Sequence, residues 1–152
     1  MSTQSWLHQL STDIGTFTFQ RNQNGVCAFD IEDTTIVLET PESENAIILY
    51  APLTPLTEIA DDAAYRRILA LNFLCRDTAG ATLAVNERAA TVCLCAHQNP
   101  DLLDYPAFKA WIIQFVDTAV WLQKEIPARI KEATPNQPPT PEPTLHQHAT
   151  FA

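Results

Sequence analysis

Between Ala63 and Val85 the chain reads AAYRRILALNFLCRDTAGATLAV, a helical repeat that runs into one glycine and emerges as a strand. Ala64, Ile68, Leu71 and Cys75 recur at helical spacing, with Arg66 and Arg67 off that line, which predicts an amphipathic helix. Ala60, Leu69 and Phe73 widen its apolar face. Asp61 and Asp62 suit the positive end of the helix dipole, and Thr57 is the expected cap. The polar run Asp77–Gly80 ends the element, because glycine takes positive φ without a Cβ clash. The order Ala81-Thr82-Leu83-Ala84-Val85 then predicts a strand.

The flanks extend the pattern. Trp6, Leu7, Leu10 and Ile14 form the stripe of a short first helix, capped at Ser2 or Thr3 and ended by Gly15. Phe17 and Phe19 alternate with threonines. With the Asn24-Gly25 turn and a strand over Val26–Ile31, they predict a hairpin whose Cys27, Phe29 and Ile31 share a face. Strands over Thr35–Glu39 and Ala46–Ala51 follow, joined by short turns that imply an antiparallel meander. Pro52 and Pro55 are expected to stop the last of them. Glu42 and Glu44 occupy a solvated turn. A further strand over Ala90–Ala96 brings the count to about five. Asp104 then caps a long helix carrying Phe108, Trp111, Ile112, Phe115, Ala119, Leu122 and Ile126 on one stripe, with Trp121 off it at an edge or interface. Pro127 is expected to interrupt that helix. The reading is an α+β fold, three helices on an antiparallel sheet in the order α-β-β-β-α-β-β-α, one domain over residues 1–130. Residues 131–152 form an extended, proline-rich tail holding five of the eleven prolines.

Composition narrows the function. Nine carboxylates and no Lys or Arg fall between Asn22 and Tyr65, in a chain of formal charge −9, and such a surface repels phosphate backbones and anionic lipid. Nucleic-acid binding is therefore not expected. No apolar run approaches the roughly 20 residues of a membrane span, and the first residues carry no basic stretch ahead of a hydrophobic block, so a cytoplasmic protein without membrane insertion is expected. Cys27, Cys75, Cys93 and Cys95 fall within predicted elements and are read as reduced thiols. With three glycines in all, Gly-rich phosphate loops are excluded.

Catalytic constellations are sparse. Cys93, Cys95 and His97 alternate along one strand face, which would suit a thiol or zinc-dependent enzyme. The spacing lacks the tight Cys-x2-Cys turn of a zinc site, and buried cysteine is a common core residue, so no metal or other cofactor is expected. Cys75, read at a helix C-terminus, sits where the dipole disfavours a thiolate. No nucleophile elbow or carboxylate dyad appears, and no catalytic residue is assigned.

The residues at the joints resemble the class I type III secretion chaperones, the Tir-chaperone family. The resemblance rests on Leu69-Ala70-Leu71-Asn72-Phe73, on Ala79-Gly80-Ala81-Thr82-Leu83-Ala84, and on Phe108, Phe115-Val116, Ala119 and Trp121. It spans about Trp6 to Ile126, departs from the family pattern at Ala79, where a second glycine is usual, and leaves the tail outside. It implies a homodimer built on the central helix and the following strand, with Ile68, Leu71, Asn72 and Leu83 at the interface. It also implies a non-catalytic chaperone that keeps the N-terminal segment of a secreted effector extended, or the same fold acting as a regulator that sequesters a transcription-control partner. A short amphipathic helix beside an open sheet offers an apolar groove and strand edges for an extended peptide. Leu7, Leu10, Ile14, Phe29 and Ile31 are the expected effector-facing residues.

Overall fold

A computed structural model describes residues 3–15, 19, 22–41 and 44–132. Helix α1 (Thr3–Ile14) is followed by strands β1 (Val26–Ile31), β2 (Thr34–Glu39) and β3 (Ile47–Pro55), helix α2 (Asp62–Ala70), strands β4 (Thr82–Asn86) and β5 (Thr91–Gln98), and helix α3 (Tyr105–Lys131). The expected order of elements is the observed one. The five strands form one antiparallel sheet in the order β1-β2-β3-β5-β4. The tail from residue 133, and the Phe17 part of the predicted first hairpin, lie outside the described residues.

Strand register builds the core. Cys27, Leu38, Leu49 and Ala96 line up across four strands, and Ala51, Leu94 and Leu83 across three. Alternation turns both rows to one face. Across that face lies α3, burying Phe108, Ile112, Phe115, Val116, Ala119, Leu122 and Ile126. At about 1.5–3 kcal/mol for each large apolar side chain, this is the dominant stabilising contact. Helices α1 and α2 flank it. Trp6 of α1 packs on Phe108 with ring centroids 5.3 Å apart, and Ala64 and Ile68 of α2 are buried.

Polar contacts fix the flanking helices. Lys109 Nζ donates to Asp13 Oδ2 at 2.7 Å and the Tyr105 hydroxyl donates to the same oxygen at 2.7 Å, tying the end of α1 to the start of α3. Arg67 of α2 donates through Nε to the carbonyl of Arg129 at 2.7 Å and through a terminal nitrogen to that of Ile130 at 3.3 Å. A guanidinium from one helix thus satisfies carbonyls at the C-terminus of another.

Several expected boundaries move. Strand β3 runs through Pro52 to Pro55, with a bulge between Pro52 and Thr54. Pairing of β2 with β3 ends at Val37–Tyr50, so beyond it Pro52 has no ladder on the β2 side to interrupt. Pro127 does not interrupt α3. The missing N–H falls near the end, where the Arg129–Glu125 ion pair at 2.6 Å spans the proline and Arg67 holds the last carbonyls. Asp61, not Thr57, caps α2, accepting from the Ala64 N–H at 2.7 Å. The central helix ends at Ala70 rather than near Cys75; a 3-10 turn (Phe73–Cys75) follows, in which Leu74 and Cys75 both have positive φ, 57° and 52°.

Two outcomes follow from these ties. Arg67→Ala should destabilise the protein by about 1–2 kcal/mol and speed amide exchange over residues 128–131, both readable in denaturant titration and hydrogen exchange. Lys109 first, then Tyr105, holds Asp13 below the ordinary aspartate range, so its contribution is present above the unfolded-state pKa and is lost as pH falls through the folded one. The α1–α3 contact should therefore loosen in acid, seen as a change in Trp6 fluorescence that Asp13→Asn abolishes.

Candidate functional site

Among the described residues the exposed large apolar side chains include Leu102, ahead of α3, and Ile113 and Trp121 on it, Trp121 off the buried stripe as expected; the others lie at two margins of the sheet. The larger patch surrounds the edge strand β4. Past the end of α2 the chain turns out from the core, leaving Phe73 74% and Leu74 63% exposed, beside Leu69 in the last turn of α2 at 58% and Val85 of β4 at 48%. A small apolar hollow lined by Tyr65, Ile68, Leu69, Leu83, Ala84, Val85 and Val92 joins α2 to the strand. The turn that creates this patch is pinned by Asn72. Its amide nitrogen donates to the Leu83 carbonyl at 3.0 Å, and its Oδ1 accepts from the Leu83 N–H at 2.8 Å.

Of the residues expected at a dimer interface, Ile68, Leu71 and Leu83 are buried within the chain and Asn72 is half-buried. They lie beneath the exposed patch. Leu69 and Phe73, expected to widen the buried face of the central helix, are instead exposed: Leu69 lies in the last turn of α2, off the line of Ala64 and Ile68, and Phe73 lies past the end of the helix at Ala70. Leu74 and Val85 were not expected. Their signal is the run Leu71-Asn72-Phe73-Leu74, too dense in large apolar residues for one helix stripe to bury.

A second patch lies between α1 and β1. Phe19 bridges the two, its N–H donating to Ser11 Oγ at 3.2 Å and its ring meeting Phe29 edge-on with centroids 4.9 Å apart. Ile14 is exposed and Phe29 and Ile31 are half-buried on the core's margin, whereas Leu7 and Leu10 point into the core. Of the expected effector-facing set, Ile14, Phe29 and Ile31 thus present accessible surface in the free chain. Lys124 of α3 reaches Glu32 in the β1–β2 turn at 2.8 Å, bounding this patch from the other side. Phe19, expected in a hairpin strand, is the side chain that joins its two halves.

The sheet face without helices carries Cys93, Cys95 and His97, on one side of β5 as expected. Glu39, Ile48, Tyr50, Ala84, Val85, Asn86, Cys93 and Cys95 line a groove of about 340 Å³ there. Its groups are chemically quiet. Burial, then the neighbouring Cys95, pushes the Cys93 thiol up to about 11, and burial raises Cys95 as well. Burial, with a 2.9 Å hydrogen bond to Glu39, pushes Tyr50 up to about 12. At neutral pH both thiols carry their protons, the reverse of what nucleophilic or metal-binding cysteine needs. Among the described residues no three His, Cys, Asp or Glu side chains form a group that could hold a metal. Cys75 is exposed in its turn, not seated at a helix C-terminus as expected.

A small sheet with helices on one face and apolar residues left open at two margins defines a protein-binding domain. The chain belongs to the Tir chaperone protein (CesT) family, whose model matches residues 5–123. Its fold is similar to a chain of the ExsC–ExsE complex (TM-score 0.68, 17% identity, covering 84% of this chain and 98% of that one). It is also similar to a chain of the HopA1–SchA chaperone–effector complex (0.63, 17%, 80% and 92%). A third similar chain comes from the heterodimeric ExoU–SpcU complex of the Pseudomonas aeruginosa type III secretion system (0.62, 14%, 86% and 98%). Comparison with curated protein sequences gave no match. No helix among the described residues is long and apolar enough to cross a membrane.

The thiols supply a test. At pH 7.5, alkylation should label Cys75 first and Cys27 and Cys93 slowest, and protein purified without chelator should carry less than a stoichiometric trace of zinc. Rapid labelling of Cys93, or one zinc per chain, would return this face to chemistry.

Proposed function

We propose that this chain is a homodimeric, non-catalytic chaperone of the bacterial cytoplasm that holds the N-terminal segment of a type III secreted effector in an extended, export-competent form. Membership of the Tir chaperone family is the observation that carries the reading, and two of the similar folds come from complexes described as a chaperone with its effector and as part of a type III secretion system. The molecule's surfaces support a division of labour. The patch of Leu69, Phe73, Leu74 and Val85 suits a second copy, because large apolar side chains grouped at one edge favour a self-complementary, two-fold contact. The Ile14, Phe19, Phe29 and Ile31 margin suits an extended segment whose apolar side chains fill pockets between a helix and a sheet.

Native mass spectrometry of the tagged full chain captured from its host should find two copies with one exported protein. A transcription-control partner in its place would assign the same fold to regulation, and a bare monomer would end the dimer reading. Within the dimer, Phe73→Asp should weaken self-association by about 2 kcal/mol or more, roughly thirtyfold, with circular dichroism unchanged. Leu71→Asp, which forces a charge into the core, should unfold the protein. A Phe73→Asp variant that remains a tight dimer would show that the interface lies elsewhere.

A further inference from the structure

Strand β4 is an edge of the sheet, and an edge strand normally presents a row of N–H and C=O groups ready to pair with another chain. In an antiparallel ladder alternate residues point these groups to the same side. Leu83 turns its pair away from β5, toward Asn72, so alternation sends the groups of Thr82, Ala84 and Asn86 to β5 and those of Leu83 and Val85 outward. Asn72 then occupies both groups of Leu83, as a residue of a sixth strand would. What is left of this edge, at Val85, is shorter than the two consecutive outward positions that begin a ladder.

We propose that Asn72 is a specificity-determining residue that denies the β4 edge to strand addition. A second copy therefore meets this side of the molecule through the side chains of Leu69, Phe73, Leu74 and Val85, and no continuous sheet forms across the contact. The device is economical in sequence. The carboxamide of Asn72 closes the backbone edge, while the backbone carbonyl of the same residue accepts from the Cys75 N–H at 3.0 Å in the turn where Leu74 and Cys75 hold positive φ. That turn is what carries Phe73 and Leu74 outward. Positive φ at two successive non-glycine residues is strained, and such strain persists where the surroundings overdetermine it; here the bonds from Asn72 and from the Gly80 N–H to the Cys75 carbonyl at 3.0 Å do so. The start of β1 carries a similar closure. Val26 donates to Asn22 Oδ1 at 3.0 Å, and its carbonyl accepts from the Asn22 N–H at 2.8 Å.

The full chain and three variants test the proposal. In Asn72→Ala, amide exchange at Leu83 should quicken at least tenfold while that at Ala84, which faces β5, holds. The variant should also form assemblies larger than the parent's as concentration rises, read by analytical ultracentrifugation. Adding Val85→Pro, which removes the outward N–H of the reopened edge and keeps an apolar side chain in the contact, should return the assemblies to parental size. Asn72→Asp keeps an acceptor for the Leu83 N–H and should leave Leu83 exchange within threefold of the parent. Unchanged Leu83 exchange in Asn72→Ala, parental assembly size despite faster exchange, assemblies that survive Val85→Pro, or tenfold faster Leu83 exchange in Asn72→Asp would each overturn the proposal. Asn72→Ser, too short to reach both groups, replaces Asn72→Ala if that variant does not fold; failure of both to fold would make Asn72 a folding element and overturn the blocking role. The proposal draws on the dimer reading only for the side chains at this edge. A monomeric parent would end that reading, while the exchange and assembly comparisons would still decide this one.

Discussion

The structure depends on one contact, the apolar stripe of α3 laid across the middle strands of a five-stranded sheet. Rows such as Leu38–Leu49 and Ala51–Leu94–Leu83 are contiguous only because register aligns them, and a one-residue slip in any strand would turn its apolar set to the opposite face. Burial of Phe108, Phe115, Leu122 and Ile126 against those rows therefore selects the register as well as stabilising it. It also sets the limits of the core. One long helix cannot cover five strands, so α1 and α2 fill in beside it, and the margins beyond them, at β1 and at β4, are where apolar surface is left over.

At those margins directional contacts replace bulk burial. Arg67, Asp13 and Asn72 each spend a polar side chain on fixing where one element ends relative to another. Exposed ion pairs such as Lys124–Glu32 contribute little to stability by themselves. Their worth lies in orientation: an apolar surface serves as a binding site only if its bounding elements hold still. The acidic run between Asn22 and Tyr65 is partly absorbed in the same way. Asp61 caps α2, Glu39 accepts from Tyr50, Glu32 pairs with Lys124 and Asp30 accepts from Thr35. A cluster that reads from sequence as one charged surface is thus in part a set of local structural fastenings.

The element order was legible because each long signal was periodic. The stripe of α3 and the shared strand faces of Cys27, Phe29 and Ile31 in β1 and of Cys93, Cys95 and His97 in β5 survive in the structure. Errors fall where periodicity gives out and a single non-local partner decides. Pro52 continues a strand because β2 has already left it, a fact of pairing that local sequence does not contain. Pro127 stays inside a helix because Arg67, sixty residues earlier in the chain, supports the carbonyls past it. Phe73 was placed on the buried face because helical spacing extends to it, yet the bond of Asn72 to Leu83 diverts the chain first. The candidate surfaces were half visible for the same reason. Leu71, Asn72 and Leu83 lie at or beside the β4 edge, beneath the exposed side chains, and which side chains stand out from that edge depends on the helix ending at Ala70.

These features together explain how one small domain keeps two apolar surfaces apart. An uncovered edge strand beside exposed Phe73 and Leu74 would combine backbone hydrogen bonding with apolar attraction, the pairing that drives edge-to-edge aggregation. Separating the two demands that the edge be closed while the side chains stay open. At β4 the closing group is Asn72, and it comes from the same turn that displays the apolar residues. The opening and the closure therefore meet at one residue: Asn72 bonds Leu83 through its side chain and the Cys75 N–H through its backbone carbonyl. With the edge closed and the side chains open, side-chain complementarity rather than strand pairing decides what can dock there.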